Sequence, residues 1–297
     1  MIPAEAHSHH IAVLGKTGAG KTTTVKGLIE QVVAAGDRVC ILDPIKSDYW
    51  GLTLDRNGKR QGLPFRILGG PYGHVPLHPP AGGALGKLVG EGALRHCIID
   101  MADFDVGEPA AFFVAFARSL FRSVRGCLYL VIEEAHTFAP KERAGFGEES
   151  KCIHWTKKLA TAGRSKGIRL VVATQRTQEL HNAVLGSCET MIVHRMTAPA
   201  DQKPAVDWLK ANTDKTTAAD ISATLSSLKT GEGWLCSGEL QIMSRVRFPR
   251  CKTFDNTSTP TGKTGEGPRP KPIATGELEK LLAGAVAEAK ANDPKAL

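Results

Sequence analysis

Residues 12–23 read Ala-Val-Leu-Gly-Lys-Thr-Gly-Ala-Gly-Lys-Thr-Thr, and they contain the spacing Gly-x-x-x-x-Gly-Lys-Thr. Glycines at positions 15, 18 and 20 let the backbone curl, so that its N–H groups converge on a bound phosphate. Residues 10–14 are strand-like, and residues 22–35 have a helical periodicity that ends at Gly36. A chance glycine-rich turn would lack both flanks. The stretch therefore predicts a phosphate-binding loop in a parallel α/β sheet.

The loop predicts a nucleoside triphosphate as the ligand, together with Mg²⁺. Lys21 is expected to reach the β- and γ-phosphates, and the hydroxyl of Thr22 is expected to ligate the metal ion. The predicted nucleotide-binding residues are Gly15, Lys16, Thr17, Gly18, Ala19, Gly20, Lys21, Thr22 and Thr23.

A pair of acids follows a second apolar run. Residues 129–132 are Tyr-Leu-Val-Ile, and Glu133 and Glu134 come directly after them. In a nucleotide-hydrolysing site the first acid holds Mg²⁺, directly or through water, and the second orients and activates the attacking water. The alternative is that the two acids simply begin a helix. With the phosphate-binding loop upstream, we predict Glu133 as a metal ligand and Glu134 as the catalytic base.

Two further polar residues are predicted to take part in catalysis. Gln175 ends the apolar run 168–174, where it could sense the γ-phosphate or the attacking water; an ordinary strand cap is the alternative. Arg164 lies in the loop Ala-Gly-Arg-Ser-Lys-Gly at 162–167. An arginine of this kind can neutralise charge during phosphoryl transfer, often from a neighbouring subunit. The same loop could instead hold a DNA phosphate.

The chain alternates strand-like and helical segments, which predicts a mainly parallel sheet covered by helices on both faces. Residues 44–92 form an insertion rich in glycine and proline, in which 71–83 is expected to be loop. The domain is predicted to span 1–250 and to end in a short antiparallel extension, with strands at 233–236 and 241–248. Residues 251–297 are predicted to be a flexible tail with a short helix at 277–291. The other predicted strands are 38–43, 65–68, 95–100, 127–134, 168–174 and 190–195, and the other predicted helices are 108–124 and 150–162.

Composition limits the class of protein. The 297 residues are 42% hydrophobic, which is enough for one large domain with a sizeable core. No apolar run approaches the ~20 residues of a membrane span, and the first residues do not resemble a signal peptide. The seven cysteines are scattered without a Cys-x-x-Cys pair, which is typical of reduced core residues. We therefore expect a cytoplasmic protein without a membrane partner.

The chain carries a formal net charge of +8, which favours a polyanionic partner. Between Lys141 and Arg169 there are eight basic residues and three acidic ones. A basic face is often only solvated, so charge alone leaves nucleic-acid binding and simple solvation open.

Four segments together resemble the HerA/FtsK superfamily of P-loop ATPases, in its HerA-like branch with the central domain of helicase HerA. They are residues 14–22, residues 131–140 with Glu133 and Glu134, residues 163–168 with Arg164, and residues 173–176 with Gln175. The resemblance runs from about residue 9 to residue 250. Glu133 stands where the family more often has aspartate.

The resemblance implies a RecA-like core of the ASCE type of P-loop NTPase, with ATP and Mg²⁺ at the site. It assigns Lys21 and Thr22 to the nucleotide and metal, Glu133 and Glu134 to the metal and water, Gln175 to sensing, and Arg164 to an adjacent subunit. It also implies a homohexameric ring with double-stranded DNA in its pore.

The leading functional hypothesis is an ATP-hydrolysing DNA translocase or helicase-like motor. A DNA-packaging or conjugation motor would share the chemistry and differ in its partner. An ATP-gated scaffold or regulatory subunit for a nuclease or other effector is the alternative from another class.

Overall fold

This computed structural model describes residues 2–141, 147–256 and 268–291, which contain a nine-stranded sheet with its strands between Ile11 and Arg247. The strands are β1 (Ile11–Leu14), β2 (Arg38–Asp43), β3 (Arg66–Leu68), β4 (His96–Asp100), β5 (Leu128–Ile132), β6 (Ile168–Thr174), β7 (Thr190–His194), β8 (Glu232–Ser237) and β9 (Ile242–Arg247). The helices are α1 (Lys21–Ala34), α2 (Gly82–Glu91), α3 (Glu108–Ser123), α4 (Glu148–Ala162), α5 (Asn182–Leu185), α6 (Pro199–Asn212), α7 (Lys215–Thr224) and α8 (Gly276–Ala291).

The strand order is β3-β4-β2-β5-β6-β1-β7-β8-β9. Every pair from β3 to β7 is parallel, whereas β8 and β9 pair antiparallel at the other end. The predicted mainly parallel sheet with a short antiparallel extension is therefore confirmed. Because β1 lies between β6 and β7, the phosphate-binding loop after β1 is flanked by the carboxyl ends of both neighbours.

Helices cover both faces of the sheet. Along β1, the fully buried Ala12 and Leu14 belong to one apolar core with residues of α2, α3, α4, α6 and α7, while Ile11 and Val13 belong to a second core with residues of α1. A strand that is apolar on both sides suits only the interior of such a three-layer arrangement. The core thus explains why the predicted strands read as continuous apolar runs.

The prediction of a loop over residues 71–83 is wrong at its end. A short 3₁₀ turn at Pro79–Ala81 leads directly into α2, which begins at Gly82. Gly82, Gly86 and Gly90 recur every four residues along α2 and face α3, where a Cβ on Gly86 would lie 2.3 Å from the carbonyl oxygen of Phe116. These glycines permit close helix packing; the predicted loop had included Gly82, and no helix was predicted for Gly86 and Gly90 in the insertion 44–92.

Other differences concern the second half of the chain. Helices α5, α6 and α7 were not predicted. The predicted strands otherwise agree with the structure to within a few residues, and α8 starts one residue before its predicted bound. Residues 257–267, part of the predicted flexible tail, lie outside the described residues, as do 142–146 in the basic segment.

The described residues contain no helix that is both long enough and apolar enough to cross a membrane. All seven cysteines are free, and all except the half-buried Cys127 are buried, as predicted for reduced core residues.

A buried histidine ends β7 next to the phosphate-binding loop. His194 is fully buried, its Nδ1 lies 2.9 Å from the Glu232 carbonyl oxygen, and its Nε2 has no partner among the described residues. Burial lowers its pKa to about 4. The folded protein therefore holds this imidazole in its neutral form at pH 7.

We predict that the free energy of unfolding falls as the pH drops from 7 to 5, in part because of His194. Its folded pKa is below the unfolded value of about 6.5, so its contribution is complete at pH 7 and is lost on acidification, by about 2 kcal/mol at pH 5. Urea unfolding of His194→Gln at both pH values should show a smaller loss than in the wild type. His154→Gln, which alters an exposed histidine, is the control. Equal losses in wild type and His194→Gln would contradict the prediction.

Candidate functional site

The phosphate-binding loop adopts backbone conformations that favour glycine. The φ angles of Gly18 and Gly20 are 73° and 106°, in the left-handed region that other residues seldom adopt. Gly20 is the N-cap of α1, and no side chain among the described residues caps that helix end. The free amide groups of the first turn of α1 therefore face the loop, as in a site for an anion.

Neighbouring strands hold this loop closely. A Cβ on Gly15 would lie 2.7 Å from the Cβ of His194, and a Cβ on Gly20 would lie 3.1 Å from the backbone of Gly231. The Gly231 amide donates to the Ala19 carbonyl at 2.9 Å. The turn before β8 is thus a support for the loop that sequence reasoning missed, since nothing local connects residues 19 and 231.

Glu133 follows β5 and is completely buried beside the loop. Its Oε1 lies 2.9 Å from Lys21 Nζ, and its Oε2 accepts a hydrogen bond from the hydroxyl of Tyr49. Burial alone would lower the pKa of Lys21, but Glu133 and Glu134 outweigh it and raise that pKa. The predicted phosphate-binding lysine and the predicted metal ligand are therefore an ion pair in this structure.

Glu134, the predicted base, has a φ of 43°, a strained conformation for a non-glycine residue. Its Oε1 accepts a hydrogen bond from Lys46, and its Oε2 accepts one from the backbone N–H of Gln175 at 3.2 Å. Burial would raise the pKa of Glu134, but Lys21, Lys46 and the Gln175 amide outweigh burial and lower it. The carboxylate is consequently charged at neutral pH.

Gln175 lies beside the phosphate-binding loop, where its position at the end of β6 had placed it. The hydroxyl of Thr17 donates to its Oε1. The register pairs Leu14 with Thr174, so both chains leave the sheet at the same level. This contact connects the loop to Glu134 through a single residue.

Three residues that were not predicted as part of the site, Asp43, Lys46 and Tyr49, lie at the end of β2 and in the segment between β2 and the 3₁₀ turn at Trp50–Thr53. Asp43 ends β2, and its carboxylate accepts the amides of Lys46 at 3.0 Å and Asp48 at 2.7 Å. Burial, with Glu133 nearby, raises the pKa of Asp43 to about 7. The turn that Asp43 organises brings Lys46 and Tyr49 to the two acids. The strand 38–43 that ends in Asp43 was predicted, but no local motif marks Lys46 or Tyr49.

His136 is another neighbour that the sequence did not indicate. Its Nδ1 lies 2.9 Å from the hydroxyl of Thr174 and 3.5 Å from Glu134 Oε2. Burial lowers its pKa, which favours the neutral ring next to the carboxylate.

The remaining predicted ligands lie on the loop and in the first turn of α1. Thr22 and Thr23 are half-buried and follow Lys21 directly, and Lys16 is exposed, with its amide donating to the Arg195 carbonyl at 2.9 Å. A hydroxyl and a carboxylate, from Thr22 and Glu133, are oxygen ligands of the kind that Mg²⁺ uses together with substrate phosphates. The residues present therefore fit this ion.

Arg164 lies away from this cluster. It precedes β6, whereas the phosphate-binding loop follows β1, and the two strands are parallel. Arg164 is therefore at the amino edge of the sheet, opposite Glu134. Its guanidinium pairs with Glu189, which precedes β7 at the same edge, and its side chain is 43% exposed.

Two lysines of the basic segment 141–169 lie over aromatic rings near the amino edge of the sheet. Lys158 Nζ lies 5.1 Å from the ring centre of Phe121 and 5.0 Å from that of Trp155, and Lys166 Nζ lies 5.5 Å from the former. Arg143 and Glu142, which were included in the charge count, fall outside the described residues.

The parallel sheet, the phosphate-binding loop after β1 and the acids after β5 define the class as an α/β fold of the P-loop NTPase type. A family model described as the central domain of helicase HerA matches residues 2–72. A probable helicase of Methanocaldococcus jannaschii is 30% identical over 124 residues, which are 41% of this chain and 21% of that protein. The DNA double-strand break repair helicase HerA of Pyrococcus furiosus is 29% identical over 140 residues, 47% of this chain and 22% of that protein.

Solved structures show the same fold at low identity. The genome packaging NTPase B204 of Sulfolobus turreted icosahedral virus 2, in complex with sulfate, superposes with a TM-score of 0.54 at 15% identity, covering 81% of this chain and 97% of that chain. VirB4 of Thermoanaerobacter pseudethanolicus superposes with a TM-score of 0.51 at 14% identity, covering 81% and 89%. The predicted fold class is confirmed. The family match and the curated relatives likewise confirm the predicted resemblance to the HerA-like P-loop ATPases, although the matched regions span only about a fifth of those relatives (21% and 22%).

Proposed function

We propose that this chain hydrolyses ATP with Mg²⁺ and acts as one subunit of a DNA-translocating ring. The observation that carries the proposal is the convergence of four predicted residues at one sheet edge: Lys21 on Glu133, and Gln175 between Glu134 and the phosphate-binding loop. The names of the curated relatives include helicases, and the structural neighbours include a packaging NTPase, which supports the same class of activity.

In this proposal the buried ion pair is the form of the site without nucleotide. Lys21 turns from Glu133 to the β- and γ-phosphates, which frees the carboxylate of Glu133 to bind Mg²⁺ together with Thr22. When bound there, Mg²⁺ would supply positive charge to offset that of the phosphates. Tyr49 continues to orient Glu133 through its hydroxyl.

Glu134 is proposed to activate the attacking water, and Gln175 to report the state of the γ-phosphate to it. The strained backbone of Glu134 and its contact with the Gln175 amide hold the carboxylate in one orientation. The remaining residues of the loop, from Gly15 to Thr23, bind the phosphates.

Arg164 is proposed to act on the nucleotide of an adjacent subunit. Its place at the amino edge excludes contact with the site of its own chain, because the sheet lies between them. A homohexameric ring would bring that edge of one subunit towards the carboxyl edge of the next.

Double-stranded DNA is the proposed partner, with the basic segment 141–169 as its contact surface. A packaging or conjugation motor would use the same chemistry on another assembly, and the genome packaging NTPase among the structural neighbours supports packaging as a second candidate. An ATP-gated scaffold for a nuclease or other effector would bind ATP without translocation. Stimulation of ATP hydrolysis by duplex DNA would support a motor, and its absence would support a scaffold. We propose a cytoplasmic location and one domain over residues 1–250, with 251–297 as a tail.

We predict that Glu134→Gln binds ATP but does not hydrolyse it, because the substitution removes the base and keeps its size and Glu133. Equilibrium binding of ATP should be retained while the steady-state rate falls at least about 100-fold. Lys21→Ala is the matched comparison and should lose binding or turnover, since the loop offers no other point charge to the phosphates. If Glu133→Gln traps ATP while Glu134→Gln remains active, the roles of the acids are reversed.

DNA binding through phosphates predicts a steep salt dependence with little sequence preference. Lys157→Ala/Lys158→Ala should weaken duplex binding and reduce the slope of log Kd against log salt by up to about 2, with basal ATP hydrolysis intact. Lys210→Ala/Lys215→Ala removes the same charge from exposed positions on α6 and α7 and should leave binding unchanged. Equal affinity in the first variant and the wild type would place the DNA path elsewhere.

Arg164→Ala should bind ATP but lose hydrolysis, and its defect should be complemented in mixed rings. In a subunit that lacks Arg164 but keeps Glu134, the Arg164 of a Glu134→Gln neighbour can complete the nucleotide site. An arginine that acts on the nucleotide of a neighbouring subunit raises the hydrolysis rate ~10³–10⁵-fold. Even a few interfaces that combine Arg164 with Glu134 should therefore restore measurable turnover. No recovery in mixtures whose masses prove subunit exchange would contradict action in trans, and a protein that stays monomeric with ATP and DNA would remove the ring.

A further inference from the structure

The turn after β2 contacts both acids of the site. Lys46 donates a hydrogen bond to Glu134, and Tyr49 donates one to Glu133. Asp43 fixes the turn through the amides of Lys46 and Asp48. Two residues of one short turn thus contact the two acids separately.

Two ion pairs join lysines to the two acids of the site. Lys21 forms an ion pair with Glu133 and has 6% of its side chain exposed, whereas Lys46 forms an ion pair with Glu134 and has 29% exposed. The first pair must exchange partners when a nucleotide binds, since Lys21 belongs to the phosphate-binding loop. The pair of Lys46 and Glu134 also lies next to the position of the bound phosphates, because Gln175 joins Glu134 to Thr17 of that loop.

The distance between Glu134 and the γ-phosphate follows from the proposed role of Glu134. A base lies about 3 Å from the water that it activates, and that water lies about 3–3.5 Å from the phosphorus. The ammonium group of Lys46, which touches the carboxylate, is therefore within a rotation of its flexible side chain from the γ-phosphate oxygens. ADP brings no charge to that position.

We propose that Lys46 binds and senses the γ-phosphate: it neutralises Glu134 in the empty or ADP-bound site and moves to the γ-phosphate when ATP binds. This inference rests on the proposed function. The exchange releases the base when its substrate is present, and it offsets the repulsion between Glu134 and the γ-phosphate. Lys46 then contributes to the preference for ATP over ADP, and it does so even where the Glu134 carboxylate is absent, which a lysine that only neutralises Glu134 would not do.

The test is the ratio of ADP to ATP dissociation constants, measured with Mg²⁺ and a non-hydrolysable ATP analogue. In Lys46→Met this ratio should fall about 10- to 100-fold, the value of a hydrogen bond between charged groups, with ADP affinity little changed. Lys46→Arg keeps the charge and should recover most of the ratio. Lys46→Gln is a second neutral variant in case the methionine variant does not fold.

The same measurement in a Glu134→Gln background identifies the target of Lys46. Direct contact with the γ-phosphate predicts that Lys46→Met still lowers the ratio when the carboxylate is absent. An unchanged ratio in that background, or equal losses of ADP and ATP affinity in the single variant, would overturn the proposal while the hydrolysis of ATP by the wild type stands. A wild type that binds neither nucleotide would overturn the proposed function and this inference together.

Discussion

The burial of two adjacent carboxylates at one edge of the sheet constrains the rest of the site. Glu133 and Glu134 are both fully buried, and burying an isolated charge is costly unless it is paired and hydrogen-bonded. Lys21 and Lys46 supply the compensating charges, and Tyr49 and the Gln175 amide supply further hydrogen bonds. These partners come from three separate segments, the first turn of α1, the turn after β2 and the end of β6, so the acids can be accommodated only when the whole sheet edge is assembled.

Because both carboxylates need a positive partner, the site is suited to exchange one set of partners for another when a nucleotide binds. Each carboxylate is satisfied by a lysine that can also bind phosphate, and a triphosphate with its metal ion would replace those partners rather than add to them. Breaking one buried pair without a replacement would leave an uncompensated charge. In the proposed function, nucleotide binding and release of the base are therefore linked by charge balance, and Lys46 makes that link specific for the γ-phosphate.

The topology separates the predicted catalytic residues into two groups. Parallel strands place every loop after a strand at one edge and every loop before a strand at the other. Glu134 and Gln175 follow β5 and β6, whereas Arg164 precedes β6. The fold thus accounts for the proposed dependence on a neighbouring subunit without any distortion of the chain.

The sequence by itself determined the phosphate-binding loop, the acid pair and most strands, because their signals are local: glycine spacing, adjacent acids and continuous apolar runs. Even Gln175 could be placed, since the end of a parallel strand has only one edge to reach. Only the tertiary structure decided that Lys46 and Tyr49 contact the acids, that Gly231 supports Ala19, and that Gly82, Gly86 and Gly90 pack a helix rather than form a loop. Each of these depends on which distant segments become neighbours, and that follows from burial of the whole core rather than from any short pattern.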